Sequence, residues 1–380
     1  MALSEQAQAA WSALRSARVG EADRIADAAR ANRVVGVFGE GGVGKTTTIQ
    51  QAVARPKAES MTLRVDLDDA ASEAHLAFWI AKEVARSLLG NAALSILSSD
   101  ALVPGQLAGK RVEAAELLGV EGLNEALREW PSGRYALADS LAAVEALADR
   151  SAVLLWLDHV ETPALTPRHP LSSSRFLWGI RDAVQRINGL SVLISSREGL
   201  QGSLLGRDAP FHQQGEWLTL GNPTPAAWHG VARRLELAEW TAEQLARYTR
   251  GHPATMLLAI LQLKEQDEPP PDVLRRLARL DPGLGSRSFQ HARSLHRLGG
   301  QVLAQVALGR GPYAAAQRGA SSQQEITKVL SRLRLAGLVR RHDEGWSPVN
   351  PLLTIALTER VLPVSAPDLE STWAGEESFF

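Results

Sequence analysis

Gly39-Glu40-Gly41-Gly42-Val43-Gly44-Lys45-Thr46 follows the pattern G-x-x-x-x-G-K-[ST]. Each residue type there has a chemical reason. Glycines let successive backbone N–H groups curl around phosphate oxygens. The lysine reaches the β and γ phosphates, and the final hydroxyl holds Mg²⁺. Just upstream, Val34-Val35-Gly36-Val37-Phe38 is a short apolar run of the kind that forms a buried parallel strand. Downstream, the residues from about Gly44 to Ala54 read as a helix stopped by Pro56, and its N-terminus would present a positive dipole to the anion. The spacing predicts a nucleoside-triphosphate site built from Gly39, Glu40, Gly41, Gly42, Val43, Gly44, Lys45, Thr46 and Thr47.

A second anchor for the metal is expected about 110 residues further on. Val153-Leu154-Leu155-Trp156-Leu157-Asp158 is an apolar strand ending in a carboxylate, and Asp158 would hold the Mg²⁺ water shell opposite Thr46. Many hydrolysing ATPases place an acidic base directly after this aspartate. Here that position is His159, with Glu161 two further on. Three readings stay open: His159 as base, its ordinary pKa lying near neutrality; Glu161, or Asp66 and Asp68 at the end of the second strand, as base; or no well-placed base. The expectation is slow turnover.

The elements that must position these groups follow from periodicity. Residues 3–32 read as helix. Strands are expected at Met61–Asp66, Ala152–Leu157, Ser191–Ser195 and near Trp217–Leu220, besides Val34–Phe38. Leu76, Trp79, Ile80, Val84 and Leu88 recur at helical spacing, residues 98–109 read as a loop, 111–149 as helix, and 175–187 as helix. Strands alternating with helices predict an α/β fold with a five-stranded parallel sheet covered on both faces. Residues 223–266 read as helix, and three prolines at 269–271 mark a linker. The expected organisation is an N-terminal helical segment (1–32), a P-loop NTPase core (33–220), a helical lid and linker (221–272), a basic winged-helix domain (273–362) and an acidic flexible tail (363–380).

The chain has 380 residues, 45% hydrophobic and 22% charged, ordinary values for a globular protein. Its lack of cysteine excludes disulfide scaffolds, thiolate metal sites and cysteine nucleophiles. No secretion signal and no membrane span is legible, so a cytoplasmic location and no membrane partner are expected. Net charge is −1, but residues 274–341 carry 13 Lys+Arg against 2 Asp+Glu, a balance of +11. Such a block suits an anionic partner, double-stranded DNA first, or docking on the chain's own acidic part.

Within that block, Ile326, Val329, Leu330 and Leu333 fall on one helical face, leaving Gln324, Lys328 and Ser331 on the other. Gly337 breaks the helix, and Leu338-Val339-Arg340-Arg341 leads into Asp343-Glu344-Gly345-Trp346, a hairpin signal. Helices followed by a hairpin predict a winged helix. Gln324 and Lys328 would then face a major groove, with Arg340 and Arg341 on phosphate.

With these motifs in this order, the chain resembles the STAND signalling ATPases and their NB-ARC members, within the wider AAA+ class. Gly39 to Thr47 looks like their nucleotide loop, and Leu154 to Val160 like their metal-binding strand, with His159 replacing the second acidic residue. Val192-Leu193-Ile194-Ser195-Ser196-Arg197 is similar to their sensor strand, which implies that Arg197 contacts the γ-phosphate. Gly251-His252-Pro253-Ala254 resembles their Gly-x-Pro motif, which implies that Pro253 packs on adenine. Val19-Gly20-Glu21 is similar to a Gly-Arg-Glu motif of related ATPases, but lacks its arginine. Glu40 stands where partitioning ATPases carry a signature lysine, which sets that family aside. The resemblance implies ATP, ADP and Mg²⁺ as ligands, with Lys45, Asp158, Glu161 and Arg197 as catalytic candidates. Arg175, Arg181 and Arg186 stay open as the trans-acting arginine. It implies a nucleotide-driven switch, a nucleotide-dependent homo-oligomer, and a separate effector or sensor protein as partner. Two alternatives remain: a DNA-loading ATPase resembling replication initiators or transposition regulators, and a non-hydrolysing nucleotide-binding regulator of a partner protein.

Overall fold

A computed structural model describes residues 3–54, 60–70, 72–89, 137–162, 175–197, 209–265, 269–280, 284–313, 322–342 and 345–360. The expected loop at 98–109 and most of the expected helix at 111–149 lie outside them, as does the tail. The chain divides into two compact units: residues 22–38 with 49–219, and residues 1–21 with 39–48 and 220–380.

The first of these is built on a five-stranded parallel sheet. Its strands are β1 (Val34–Phe38), β2 (Ser60–Asp66), β3 (Ala152–Asp158), β4 (Leu190–Ser196) and β5 (Glu216–Thr219), in the order β2-β3-β4-β1-β5. All four pairings are parallel. Every residue of β1 is buried because β1 runs between β4 and β5, which is why its sequence is an unbroken apolar run. The register places Phe38 beside Ser196 and Asp66 beside Asp158, so the polar ends of β2, β3 and β4 gather at the carboxyl edge of the sheet. Val34 to Phe38 is followed at once by the glycine-rich loop and by α3 (Lys45–Val53), as expected. Helices α4 (Glu73–Leu89), α5 (Leu137–Ala148) and α6 (Arg175–Arg186) supply the apolar cover, with Leu76, Ile80, Val84, Val144 and Ile180 fully buried.

The other unit is helical. The expected helix over 3–32 is two, α1 (Leu3–Ala17) in this unit and α2 (Val19–Ala31), whose residues from 22 onward belong to the sheet unit, because the chain turns at Arg18 and buries its guanidinium. The expected helix over 223–266 is three: α7 (Pro225–Arg234), α8 (Glu239–Thr249) and α9 (Pro253–Glu265). Glu236 and the Arg250-Gly251 pair adopt left-handed backbone angles, which end α7 and α8. Pro270 and Pro271 open a helix, α10 (Pro270–Leu280), rather than interrupting the chain. The first helical turn has no acceptors for its own N–H groups, so proline loses nothing there. Trp228, Leu245, Met256, Ile260, Val273 and Leu274 share one core with Ala10 and Leu14 of α1. A second core joins α11 (Leu284–Leu295), α12 (Gly299–Ala307), α13 (Gln323–Leu335), the antiparallel hairpin β6 (Val339–His342) and β7 (Gly345–Pro348), and α14 (Pro351–Arg360). Ile326, Val329, Leu330 and Leu333 are all buried in it.

Gly36 is a tight point of the sheet. A Cβ there would lie 2.1 Å from the Trp217 ring across β1 and β5, and that ring packs 5.6 Å from the Phe38 ring, centroid to centroid. Gly36→Val is expected to destabilise the chain by about 1–3 kcal/mol in urea unfolding. Gly230→Ala, whose Cβ meets nothing within 4 Å, is expected to be neutral or slightly stabilising.

Candidate nucleotide site

The glycine-rich loop, helices α7 to α9 and the C-terminal hairpin belong to one unit. Gly42 and Gly44 have φ of +79° and +94°, angles that a side chain strains and that a loop wrapping its backbone around a phosphate uses. A Cβ on Gly41 or Gly44 would meet nothing within 4 Å. Lys45 Nζ donates to the carbonyls of Gly39 and Glu40, each at 2.9 Å, folding its side chain back along the loop. Thr46 and Thr47 lie half-buried in the first turn of α3. These residues fit a polyphosphate: the open glycine backbone would hold its oxygens, Lys45 its charge, and Thr46 a Mg²⁺ ion.

Three side chains bind the loop in ways that the sequence did not mark. Arg18 Nη2 donates to the Val43 carbonyl and to the Gly221 carbonyl, both at 2.9 Å, from a position 4% exposed. It sits directly before the Val19-Gly20-Glu21 motif, whose own pattern lacks an arginine. His252 Nε2 is 3.0 Å from the Gly41 carbonyl, which can only accept, so the ring proton is assigned there. Its Nδ1 then accepts from Thr255. Burial holds His252 below its ordinary pKa, opposed by the Gly41 bond and aided by the Arg340 charge. The neighbouring Pro253 is buried at the start of α9. Arg340 Nη1 lies 3.1 Å from Glu40 Oε2, an ion pair between β6 and the loop in which both side chains are more than four-fifths buried. Of the other DNA-contact candidates on this module, Gln324, Lys328 and Arg341 are exposed.

The remaining candidates stand at the carboxyl edge of the sheet, in the other unit. Asp158 is 1% exposed. Its Oδ1 accepts from Ser195 Oγ and from the His159 backbone N–H at 3.2 Å, and its Oδ2 from Arg64 Nη2 at 2.8 Å. Ser195 in turn accepts from Trp156 Nε1 at 2.9 Å. Asp158 offers hard oxygen ligands of the type Mg²⁺ prefers. Glu161 and Arg197 come together: Arg197 Nε lies 3.2 Å from Glu161 Oε1, while Ser196 Oγ and the Arg197 N–H donate to Oε2. Glu161 is 2% exposed and holds the arginine expected to reach the γ-phosphate.

His159 occupies a left-handed backbone angle, φ 55°, uncommon for a residue with a side chain. Its Nδ1 is 2.9 Å from Asp66 Oδ1. That bond, against burial and with the nearby Asp158, Asp66 and Asp68 charges, raises its pKa to about 9. The imidazole is therefore a cation at neutral pH, a poor proton acceptor. For Asp66, burial works upward but the His159 bond, the Asp68 N–H and the His159 and Arg64 charges leave its pKa below the ordinary value. Asp66, Asp68 and His159 offer ligand atoms within 4.8 Å of one another, so a metal ion there would have to displace the His159 proton.

No protein-family model matches the chain, and no curated protein does. Its structure is similar to a Walker-type ATPase of Pyrococcus abyssi, at 13% identity and a TM-score of 0.65, over 90% of this chain and 95% of that one. It is also similar to the ORC2 protein of Aeropyrum pernix, solved as ADPNP–ADP complexes, at 15% identity and a TM-score of 0.55, over 94% of each chain. The chain has the P-loop NTPase fold. Among the described residues, no helix is long and apolar enough to cross a membrane.

The His159 pKa makes stability depend on pH. A group raised on folding, here from 6.5 to about 9, contributes stability that is whole below the unfolded pKa and is lost as pH rises through the folded one. In chelator-containing buffer, resistance to urea is expected to fall as pH rises from 6.5 to about 9. His159→Asn is expected to flatten that fall, and equal slopes would remove the pairing as its cause.

Proposed function

We propose that the chain is an ATP- and Mg²⁺-dependent AAA+/STAND-type ATPase acting as a molecular switch with slow hydrolysis. The observation that carries this is the glycine-rich loop, with Gly42 and Gly44 at positive φ and Lys45 at the start of α3, directly after the inner strand β1. A phosphate loop at this place uses backbone N–H groups, a helix N-terminus and a lysine to hold a triphosphate. Bound Mg²⁺ would supply charge neutralisation across the phosphates, held by Thr46 and Asp158. The groups at the sheet edge support slow hydrolysis. His159 is already protonated, and Glu161 is engaged by Arg197 and Ser196.

The switch reading rests on the bonds that leave the loop. Glu40 is paired with Arg340 of β6, and Gly41 accepts from His252 next to Pro253. A triphosphate rearranging Glu40 or Gly41 would therefore act on the hairpin and on α9. We read residues 221–272 as lid and 273–362 as a winged helix on the same grounds. Effector, sensor or second-copy partners belong to this reading.

The second reading, DNA loading, is favoured by the +11 balance of residues 274–341 and by exposed Gln324, Lys328 and Arg341. Its arginine at 340 is committed to Glu40.

Lys45→Ala is expected to abolish ATP binding measured by calorimetry, and wild-type turnover to stay below about 1 s⁻¹, the low end for enzymes. Retained binding in Lys45→Ala would remove the site. In the same preparation, fluorescence anisotropy with labelled duplex separates the two readings. Binding that weakens with salt and with the Lys328→Ala/Arg341→Ala pair supports DNA loading; no binding leaves the switch.

A further inference from the structure

Asp158 is held by two kinds of donor. Oδ1 receives neutral donors, the Ser195 hydroxyl and the His159 N–H, while Oδ2 receives the Arg64 guanidinium at 2.8 Å. Arg64 lies on β2 two residues before Asp66, and the β2–β3 register sets Asp66 beside Asp158. Its guanidinium lies 4.7 Å from the centroid of the Trp156 ring, which fixes its plane. The same Nη2 is 3.5 Å from Asp66 Oδ2, so a second carboxylate stands within a short swing.

We propose that Arg64 is an exchangeable counter-ion of Asp158, a positioning residue that sets the Mg²⁺ concentration at which the nucleotide site engages. The inference rests on Asp158 being the Mg²⁺ anchor. A buried carboxylate needs a compensating cation. A guanidinium on Oδ2 and a divalent ion on the same carboxylate repel each other at such range. With Asp158 holding a metal ion, the Arg64 guanidinium would therefore turn to Asp66. That turn would leave the Oδ1 bonds, and with them the orientation of the carboxylate, unchanged. The neutral donors orient the carboxylate; Arg64 determines how readily a metal takes it.

The test is a MgCl₂ titration of the full chain at saturating ATP, starting from chelator, read as the shift in thermal unfolding midpoint. In Arg64→Gln the Mg²⁺ concentration giving half the shift is expected to fall by about tenfold, since a competing charge is gone. Arg64→Lys keeps the charge without the planar fork and is expected to fall between wild type and Arg64→Gln. An unchanged or raised half-point in Arg64→Gln overturns the proposal, since a merely orienting arginine would raise it. Where that variant does not fold, the half-point of Arg64→Lys decides between the same two outcomes. A wild-type chain with no Mg²⁺-dependent shift, or one that Asp158→Asn leaves intact, removes Asp158 as the metal anchor and the proposal with it. A wild-type shift abolished by Asp158→Asn but with equal half-points in the Arg64 variants removes Arg64 alone.

Discussion

A carboxylate at the buried end of a core strand must be met by donors wherever the chain can supply them. Asp158 follows five buried residues of β3, and an uncompensated charge in such a place costs several kcal/mol. The neighbours answer this demand from both sides. Strand β2 contributes Arg64, β4 contributes Ser195, and the turn after β3 contributes its own N–H. Trp156 is drawn into the same network, donating to Ser195 and stacking under Arg64. The pairing β2-β3-β4 is thus not only a backbone ladder. Its carboxyl edge is organised around one negative charge, and His159, Asp66, Glu161 and Arg197 are arranged along it.

The phosphate loop is constrained in a different way. Its glycines permit the backbone curve, but permission alone would leave the loop many shapes. Arg18, His252 and Arg340 each bind a particular point on it, the Val43 and Gly41 carbonyls and the Glu40 carboxylate. These three come from the N-terminal segment, the start of α9 and the hairpin. Two of them involve charged groups with little exposure, where electrostatic bonds are stronger than at a wet surface. The loop is therefore mechanically connected to elements far away in sequence.

The fold and much of the loop were legible because they depend on local pattern. Short runs of four to six residues, wholly apolar but for one glycine at 34–38 and wholly apolar at 152–157, marked the strands, and the order of glycines, lysine and threonine marked the loop. Where pattern reading fell short, the cause was also local. Helical composition continues through Arg18 and Glu236, where a turn held by a long-range bond and a left-handed backbone angle break it; after Arg250 the stop is carried by Gly251 and Pro253, which the helical composition on either side obscured. The prolines at 270 and 271 read as a break from composition alone, since composition does not say whether a proline begins a helix or ends one.

Sequence by itself determined the parallel α/β sheet, the place of the phosphate loop and the carboxylate that closes β3. Each follows from the types and spacing of residues adjacent in the chain. Tertiary structure alone decided the partners: Arg64 and Ser195 on Asp158, Arg197 on Glu161, Asp66 on His159, and Arg340 on Glu40. These pairs span from 36 to 300 positions in the chain. No periodicity connects residues so far apart. Their meeting is set by strand order and helix packing, and the charge His159 carries at neutral pH is set by its meeting with Asp66.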